Sequence, residues 1–265
     1  MFIIFAGILA IGLLGVILGI GLASASKAFA VVKDEKVEAV EEILPGVNCG
    51  ACGFAGCSAY AEAMVKEDAA IDLCAPGGQE TVIALGSVLG KEVGEEKQKM
   101  VAYAHCKGNR DRSEYKFEYS GPSDCTALYI LYGGDKVCGH GCLAQGSCIK
   151  ICPVDAIDYD KEGIIRVDSN KCISCGKCVD ICPTGVMKMI PDNADFVVAC
   201  NSTDKGALVR KYCTVGCIGC KICEKNSPEG GFVVENFLAR IDYNIEGDRS
   251  EANEKCPPKC IIKLK

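Results

Sequence analysis

The sequence contains no tryptophan and only two histidines, His105 and His140. Haem sites and most zinc-finger sites draw on histidine, so neither chemistry has its usual ligands here. No G-x-G-x-x-G run occurs, which leaves the chain without the fingerprint of a dinucleotide-binding fold. No basic stretch interleaved with aromatics stands out, and the net charge is −6, so nucleic acid is not an expected partner. Charge is missing altogether from residues 2–25. What the chain does have is 21 cysteines in 265 residues. A secreted scaffold stapled by disulfides would explain that number. Tight C-x2-C-x2-C spacings favour shared metal sites instead, because thiols so close in sequence suit joint ligation.

The uncharged run is rich in Ile, Leu and Gly. It is long enough to cross about 30 Å of hydrocarbon as a helix. Ala23-Ser24-Ala25 resembles a signal-peptide cleavage site, which is the competing reading. Signal peptides usually carry a basic residue before the apolar run, and none is present. Lys27, Lys33 and Lys36 follow the run, and the positive-inside rule then puts everything after it in the cytoplasm. We expect residues 1–26 to be an uncleaved single-pass anchor in the inner (cytoplasmic) membrane, with the cysteines on the cytoplasmic side, where thiols stay reduced. Gly15 and Gly19, with Gly12 nearby, form a small-residue face suited to packing against other membrane subunits, although glycine is also simply common in such helices.

Residues 26–44 read as the end of the anchor and a short amphipathic linker, stopped by Pro45-Gly46. Cys49, Cys52, Cys57 and Cys74 follow in a C-x2-C-x4-C-x16-C pattern, with helices expected over 58–67 and 80–90. Glycines between the cysteines let the backbone wrap a cluster and turn N–H groups towards its sulfurs. Four thiolates suit one 4Fe-4S cluster, with a structural zinc site as the alternative. This is the expected small helical module at 27–95.

Cys172, Cys175, Cys178 and Cys182-Pro183 form C-x2-C-x2-C-x3-C-P, the bacterial ferredoxin run. Its fourth cysteine ligates a different cluster from its first three. An irregular run precedes it: Cys138, Cys142, Cys148 and Cys152-Pro153. A hairpin is expected between the two, Ile157-Asp158-Tyr159 against Ile164-Ile165-Arg166-Val167. Crossed ligation then joins Cys152 to Cys172, Cys175 and Cys178, and Cys182 to the other set. Regular spacing would place a ligand of that set at Gln145. Cys138 is the spare thiol nearby, so the expected set is Cys138, Cys142, Cys148 and Cys182. Gln145 or a water as a weak ligand is the alternative.

The same template recurs downstream. Cys213, Gly216, Cys217 and Cys223 match Cys138, Gly141, Cys142 and Cys148 in register, and Phe196-Val197-Val198-Ala199-Cys200 resembles Val101-Ala102-Tyr103-Ala104-His105-Cys106. Ser227 stands where a cysteine belongs, as do Glu246, Arg249 and Ala252. Under crossed ligation these four are the positions of one lost cluster. Cys217, Cys220, Cys223 and Cys256 are the positions of one that is kept. Side chains should fill the vacated space. Cys260 aligns with Val186 and reads as a core thiol. Cys106, Cys125, Cys200 and Cys213 remain. They hold an extra cluster or are strand-end core cysteines, and their spacing does not decide between the two. The fold class is α+β: an N-terminal transmembrane helix, a small helical 4Fe-4S module, and two tandem bacterial-ferredoxin-like modules at 96–195 and 196–265. The first of these holds two clusters and the second is a degenerate one-cluster copy. The count is four 4Fe-4S clusters, or a fifth as well if the last four cysteines form one.

Leu44-Pro45-Gly46-Val47-Asn48-Cys49-Gly50-Ala51-Cys52-Gly53 behind an N-terminal anchor, followed by ferredoxin modules, closely resembles the B subunit of the Rnf complex. The resemblance covers essentially the whole chain, and the segment bearing Cys106, Cys125 and Gly141-Cys142-Leu143-Ala144-Gln145-Gly146-Ser147-Cys148 looks like the clostridial form. It implies an electron-transfer subunit of a translocase, a ferredoxin:NAD+ oxidoreductase that pumps Na+ or H+. It also implies soluble ferredoxin and flavin-bearing and cluster-bearing subunits as partners. No side chain is then needed as acid, base or nucleophile, and there is no catalytic residue in this chain alone. The iron–sulfur subunit of a membrane hydrogenase or formate dehydrogenase is one alternative, and a purely structural metal scaffold is another. A corrinoid iron–sulfur protein would need a large further domain for which there is no room. Residues 196–265 carry eleven Lys and Arg against nine Asp and Glu, which is either a surface that steers an acidic ferredoxin or a solvated face.

Overall fold

The computed structural model describes residues 2–28, 34–95 and 98–264. Lys33 and residue 96, the expected start of the central module, lie outside them. Helix α1 (Phe2–Ala28) carries a stretch, Gly7–Ser26, that is long and apolar enough to cross a membrane. None of that stretch is buried against the rest of the chain. Leu9, Ile11 and Leu22 all stand open. A Cβ at Gly12, Gly15 or Gly19 would meet nothing within 4 Å, so that face is free for a close neighbour. A helix apolar all round and touching nothing of its own chain calls for lipid or partner helices.

The next segment is more ordered than a linker. Asp34 accepts a hydrogen bond from the Lys36 N–H at 2.9 Å and so caps α2 (Glu35–Ile43). Val37 and Val40, three residues apart on one face, are buried. They pack with Tyr60 and Met64 of α3 (Cys57–Lys66) and with Val82 and Leu85 of α4 (Gly78–Leu89). Tyr60 donates to the Ala70 carbonyl at 2.6 Å and accepts from the Leu73 N–H at 3.3 Å. Those two bonds pin the loop that delivers Cys74.

The remaining chain repeats one layout. The first copy runs β1 (Met100–Ala104), α5 (Cys125–Ile130), α6 (Ser147–Ile151), β2 (Ile157–Tyr159), β3 (Ile165–Val167), α7 (Lys177–Asp180) and β4 (Met187–Pro191). The second runs β5 (Phe196–Val198), α8 (Gly206–Tyr212), α9 (Ile222–Lys225), β6 (Phe232–Glu235), β7 (Leu238–Ile241), α10 (Ser250–Lys255) and β8 (Ile261–Lys263). In each, the first strand pairs antiparallel with the last and the middle two form a hairpin. Single hydrogen bonds recur as well. The His105 N–H donates to the Val186 carbonyl at 2.8 Å, and the Ala199 N–H donates to the Cys260 carbonyl at 2.7 Å.

Residues 107–124, an insert in the first copy, stitch the two together. The Glu114 N–H donates to the Tyr212 carbonyl at 2.8 Å, while the Glu114 carbonyl accepts from the Val137 N–H at 3.0 Å. The Thr214 N–H donates to the Arg112 carbonyl at 2.9 Å. His105 adds a direct link, its Nδ1–H donating to the Val198 carbonyl at 2.8 Å.

Candidate metal centres

In the helical module Asn48 organises the cysteine loop. Its carboxamide oxygen accepts the Cys57 N–H at 2.8 Å and its nitrogen donates to the Gly46 carbonyl at 3.1 Å. A Cβ on Gly56 would sit 2.7 Å from that oxygen, so a side chain there would force Asn48 to move. Burial pushes the Cys74 thiol up, and Cys74 shares one core with Cys52 and Cys57.

The ferredoxin-type runs share a backbone signature. Four and two residues before the third cysteine of each run, φ is positive: Ala144 and Gly146, Ser174 and Gly176, Gly219 and Lys221. Left-handed residues spaced this way curl the chain into a concave loop with its N–H groups inward. Three residues after the fourth position φ is positive again, at Asp155, Gly185, Gly230 and Lys259. Gly230 follows Ser227, so the turn has survived where the cysteine has not.

Cys152, Cys172, Cys175 and Cys178 line one cavity. The Ala156 N–H points at the Cys152 sulfur from 3.3 Å. A second cavity is lined by Cys142, Cys148 and Cys182, and here the structure departs from the sequence expectation. Its fourth thiol is Cys125, not Cys138. The reason is a hydrogen-bonded latch. The Ser147 hydroxyl accepts the Cys125 N–H at 2.7 Å and donates to the Asp124 carboxylate at 3.0 Å, and that carboxylate caps α5 through the Ala127 N–H at 2.8 Å. Ser147 adjoins Cys148, so the latch delivers Cys125 to the cavity from a distant segment. Cys138 lies elsewhere, in a cavity with Cys106, Cys200 and Cys213. The leftover quartet therefore contains Cys138 in place of Cys125. The sequence offered no cysteine at Gln145, and it held no signal for which remote thiol the fold would bring to this cavity.

Cys217, Cys220, Cys223 and Cys256 line a further cavity, together with Cys260, whose sulfur is 3.6 Å from that of Cys256. The Cys260 thiol has one proton to donate, so it holds down whichever of Cys217 and Cys256 it faces, and donating it pushes Cys260 itself up. The side of this module where Ser227, Arg249 and Ala252 stand is filled by side chains. Arg249, 5 % exposed, donates to the carbonyls of Asp242 (3.0 Å) and Ile245 and pairs with Asp195 at 3.5 Å. Ala252 is fully buried, and Pro228 presses close to Gly247. Arg249→Ala leaves the two carbonyls without that donor and opens a hole, an expected loss of about 2–4 kcal/mol. A lowered urea midpoint for the C-terminal copy checks this. Arg249→Lys should recover less than half, because an ammonium lacks the fork that reaches both carbonyls and Asp195.

These thiols fit a cluster better than they fit other roles. All 21 cysteines are unpaired. Burial pushes Cys148 up to about 11, and Cys178, Cys200 and Cys223 to about 12. Thiolates there need a metal to offset their desolvation. Among the described residues no three His, Cys, Asp or Glu side chains converge tightly enough to grip one ion. Four sulfurs around a single zinc would stand about 3.8 Å apart, from Zn–S bonds of about 2.3 Å. Sulfurs ringing a cavity suit a multi-iron core, in which each binds a different iron.

Comparison with known proteins agrees with this. Residues 44–76 match a family described as "Putative Fe-S cluster", and residues 137–186 match the 4Fe-4S dicluster domain. The chain is 42% identical over 95% of its length to the B subunit of the Na(+)-translocating ferredoxin:NAD(+) oxidoreductase complex of Acetobacterium woodii, covering 75% of that protein. It is 38% identical to the B subunit of the ion-translocating oxidoreductase complex of Methanosarcina acetivorans, over 94% of both chains. The B subunit of the proton-translocating ferredoxin:NAD(+) oxidoreductase complex of Clostridium ljungdahlii is 40% identical over 94% of this chain and 88% of its own.

Proposed function

Because the chain belongs to the family of B subunits of ion-translocating ferredoxin:NAD+ oxidoreductase (Rnf) complexes, we propose that its thiol sets hold 4Fe-4S clusters that carry electrons between soluble ferredoxin and the membrane subunits. The chain is an electron-transfer subunit and acts as part of that complex. When bound, such clusters supply one-electron acceptance and release. We assign one to Cys49, Cys52, Cys57 and Cys74, and one to Cys152, Cys172, Cys175 and Cys178. Two more fall to Cys125, Cys142, Cys148 and Cys182, and to Cys217, Cys220, Cys223 and Cys256. The modules are 27–95, 96–195 and 196–265, behind an anchor at 1–26 that holds them on the cytoplasmic side.

The observation that carries this reading is the adjacency of the two central sets: Cys142, Cys148 and Cys182 share one core with Cys152, Cys172 and Cys178, and each set lines its own cavity. The protein's own work is to fix these positions, to direct N–H groups at sulfur and to exclude water. At the far end Cys220 is exposed, and Lys221, Lys225, Lys255 and Lys259 around it are exposed too. That surface suits an acidic ferredoxin.

Stopped-flow mixing with reduced ferredoxin tests both parts. The loaded protein should be reduced, and Lys221→Glu with Lys259→Glu should slow the step about tenfold at low salt, a gap that closes as ionic strength rises. Iron that ferredoxin cannot reduce would end the relay reading. An unchanged low-salt rate would move the docking surface elsewhere.

A further inference from the structure

Four cysteines outside the regular runs come together where the two ferredoxin-like copies meet. Cys106, Cys138, Cys200 and Cys213 line one cavity. They arrive as two equivalent pairs. Cys106 and Cys200 each follow the first strand of their copy by two residues. Cys138 and Cys213 each stand four residues before the first cysteine of the run, Cys142 and Cys217. Each copy therefore contributes the same two positions. The insert through Glu114 ties both partners of the second pair, bonding to Val137 on one side and Tyr212 on the other. The His105 bond to Val198 ties the first pair.

Lys136 lines the same cavity and is 2 % exposed. Its ammonium donates to the Gly108 carbonyl at 2.6 Å and lies 5.6 Å from the centre of the Tyr115 ring. No carboxylate pairs with it among the described residues. A buried cation with no counter-charge is costly, and ordinary packing of four core thiols would give it none. Four thiolates on an iron–sulfur core are anionic and supply it. We propose that Cys106, Cys138, Cys200 and Cys213 hold a further 4Fe-4S cluster, seated between the two copies. Gly141, next to Cys142, lines the same cavity, and Cys200 packs against the core that holds Cys217. The site thus joins the central module to the C-terminal set, and only this bridging role rests on the relay reading.

Occupancy is tested on the full chain, purified without oxygen. Five sites hold about twenty iron atoms and four hold about sixteen, by the cluster formula. The wild type should give the higher count, and Cys200→Ala with Cys213→Ala should lose about four irons. Differential alkylation of the wild type gives an answer even if that variant does not fold. In loaded protein all four thiols should resist iodoacetamide until iron is chelated away. About sixteen irons with these four thiols alkylated, or stoichiometric zinc protecting them, would overturn the proposal. Reduction by ferredoxin is measured separately, so a failed relay leaves this result standing.

Discussion

Cys125→Ala is expected to expose Cys142, Cys148 and Cys182 to alkylation and to remove about four irons. Cys138→Ala should leave those three protected and open Cys106, Cys200 and Cys213 instead. The contrast follows from the Ser147 latch, which brings Cys125 and not Cys138 to the central cavity. Removing an outer partner of a metal ligand already costs about 10–100-fold in affinity, and losing the ligand itself costs more. Mass spectrometry after alkylation reads each thiol by its position. Equal protection of Cys142, Cys148 and Cys182 in both variants would return the fourth ligand to Gln145 or water.

Deleting residues 2–26 should release the chain from membranes into the soluble fraction with its iron intact. Each Leu, Ile, Val or Phe in a spanning helix favours insertion by about 0.3–0.6 kcal/mol, so the apolar side chains of α1 together supply several kcal/mol. Nothing else in the described residues offers a comparable apolar stretch. The test is sedimentation in cells that lack the other subunits, where no partner can hold the truncated chain. Full-length protein should pellet with membranes and the truncated form should not. Recovery of the truncated form in the pellet would mean that a second surface binds lipid.

The elements governed by local rules were legible in the sequence. The hairpin at 157–167, helices after Cys57 and after Gly78, and the apolar N-terminus all follow from composition and spacing over short windows. The internal repeat was legible too, and the matched strand pairings show why: both copies keep the same turns. What escaped was long-range. Helix α2 looked like a linker because only two valines mark its buried face, and what they pack on is visible only in the fold. The exchange of Cys125 and Cys138 depends on residues 107–124 folding back between the copies. That segment has no periodicity, and the hydrogen bonds that tie it to the second copy at Tyr212 and Thr214 run mostly through backbone groups, which leaves no trace in residue type.

The Arg249 plug changes what kind of conductor the last module is. A module with two redox sites is a corridor, open at both ends. With one site sealed by a guanidinium and its carbonyl partners, it becomes a doorway. Under the proposed assignment, charge entering at Cys220 would have a single way onward, back towards the centre of the chain. A second surface-near site would be a side exit, offering electrons to any small oxidant that diffused past. Packed side chains there would close that leak while keeping the turns that shape the remaining site.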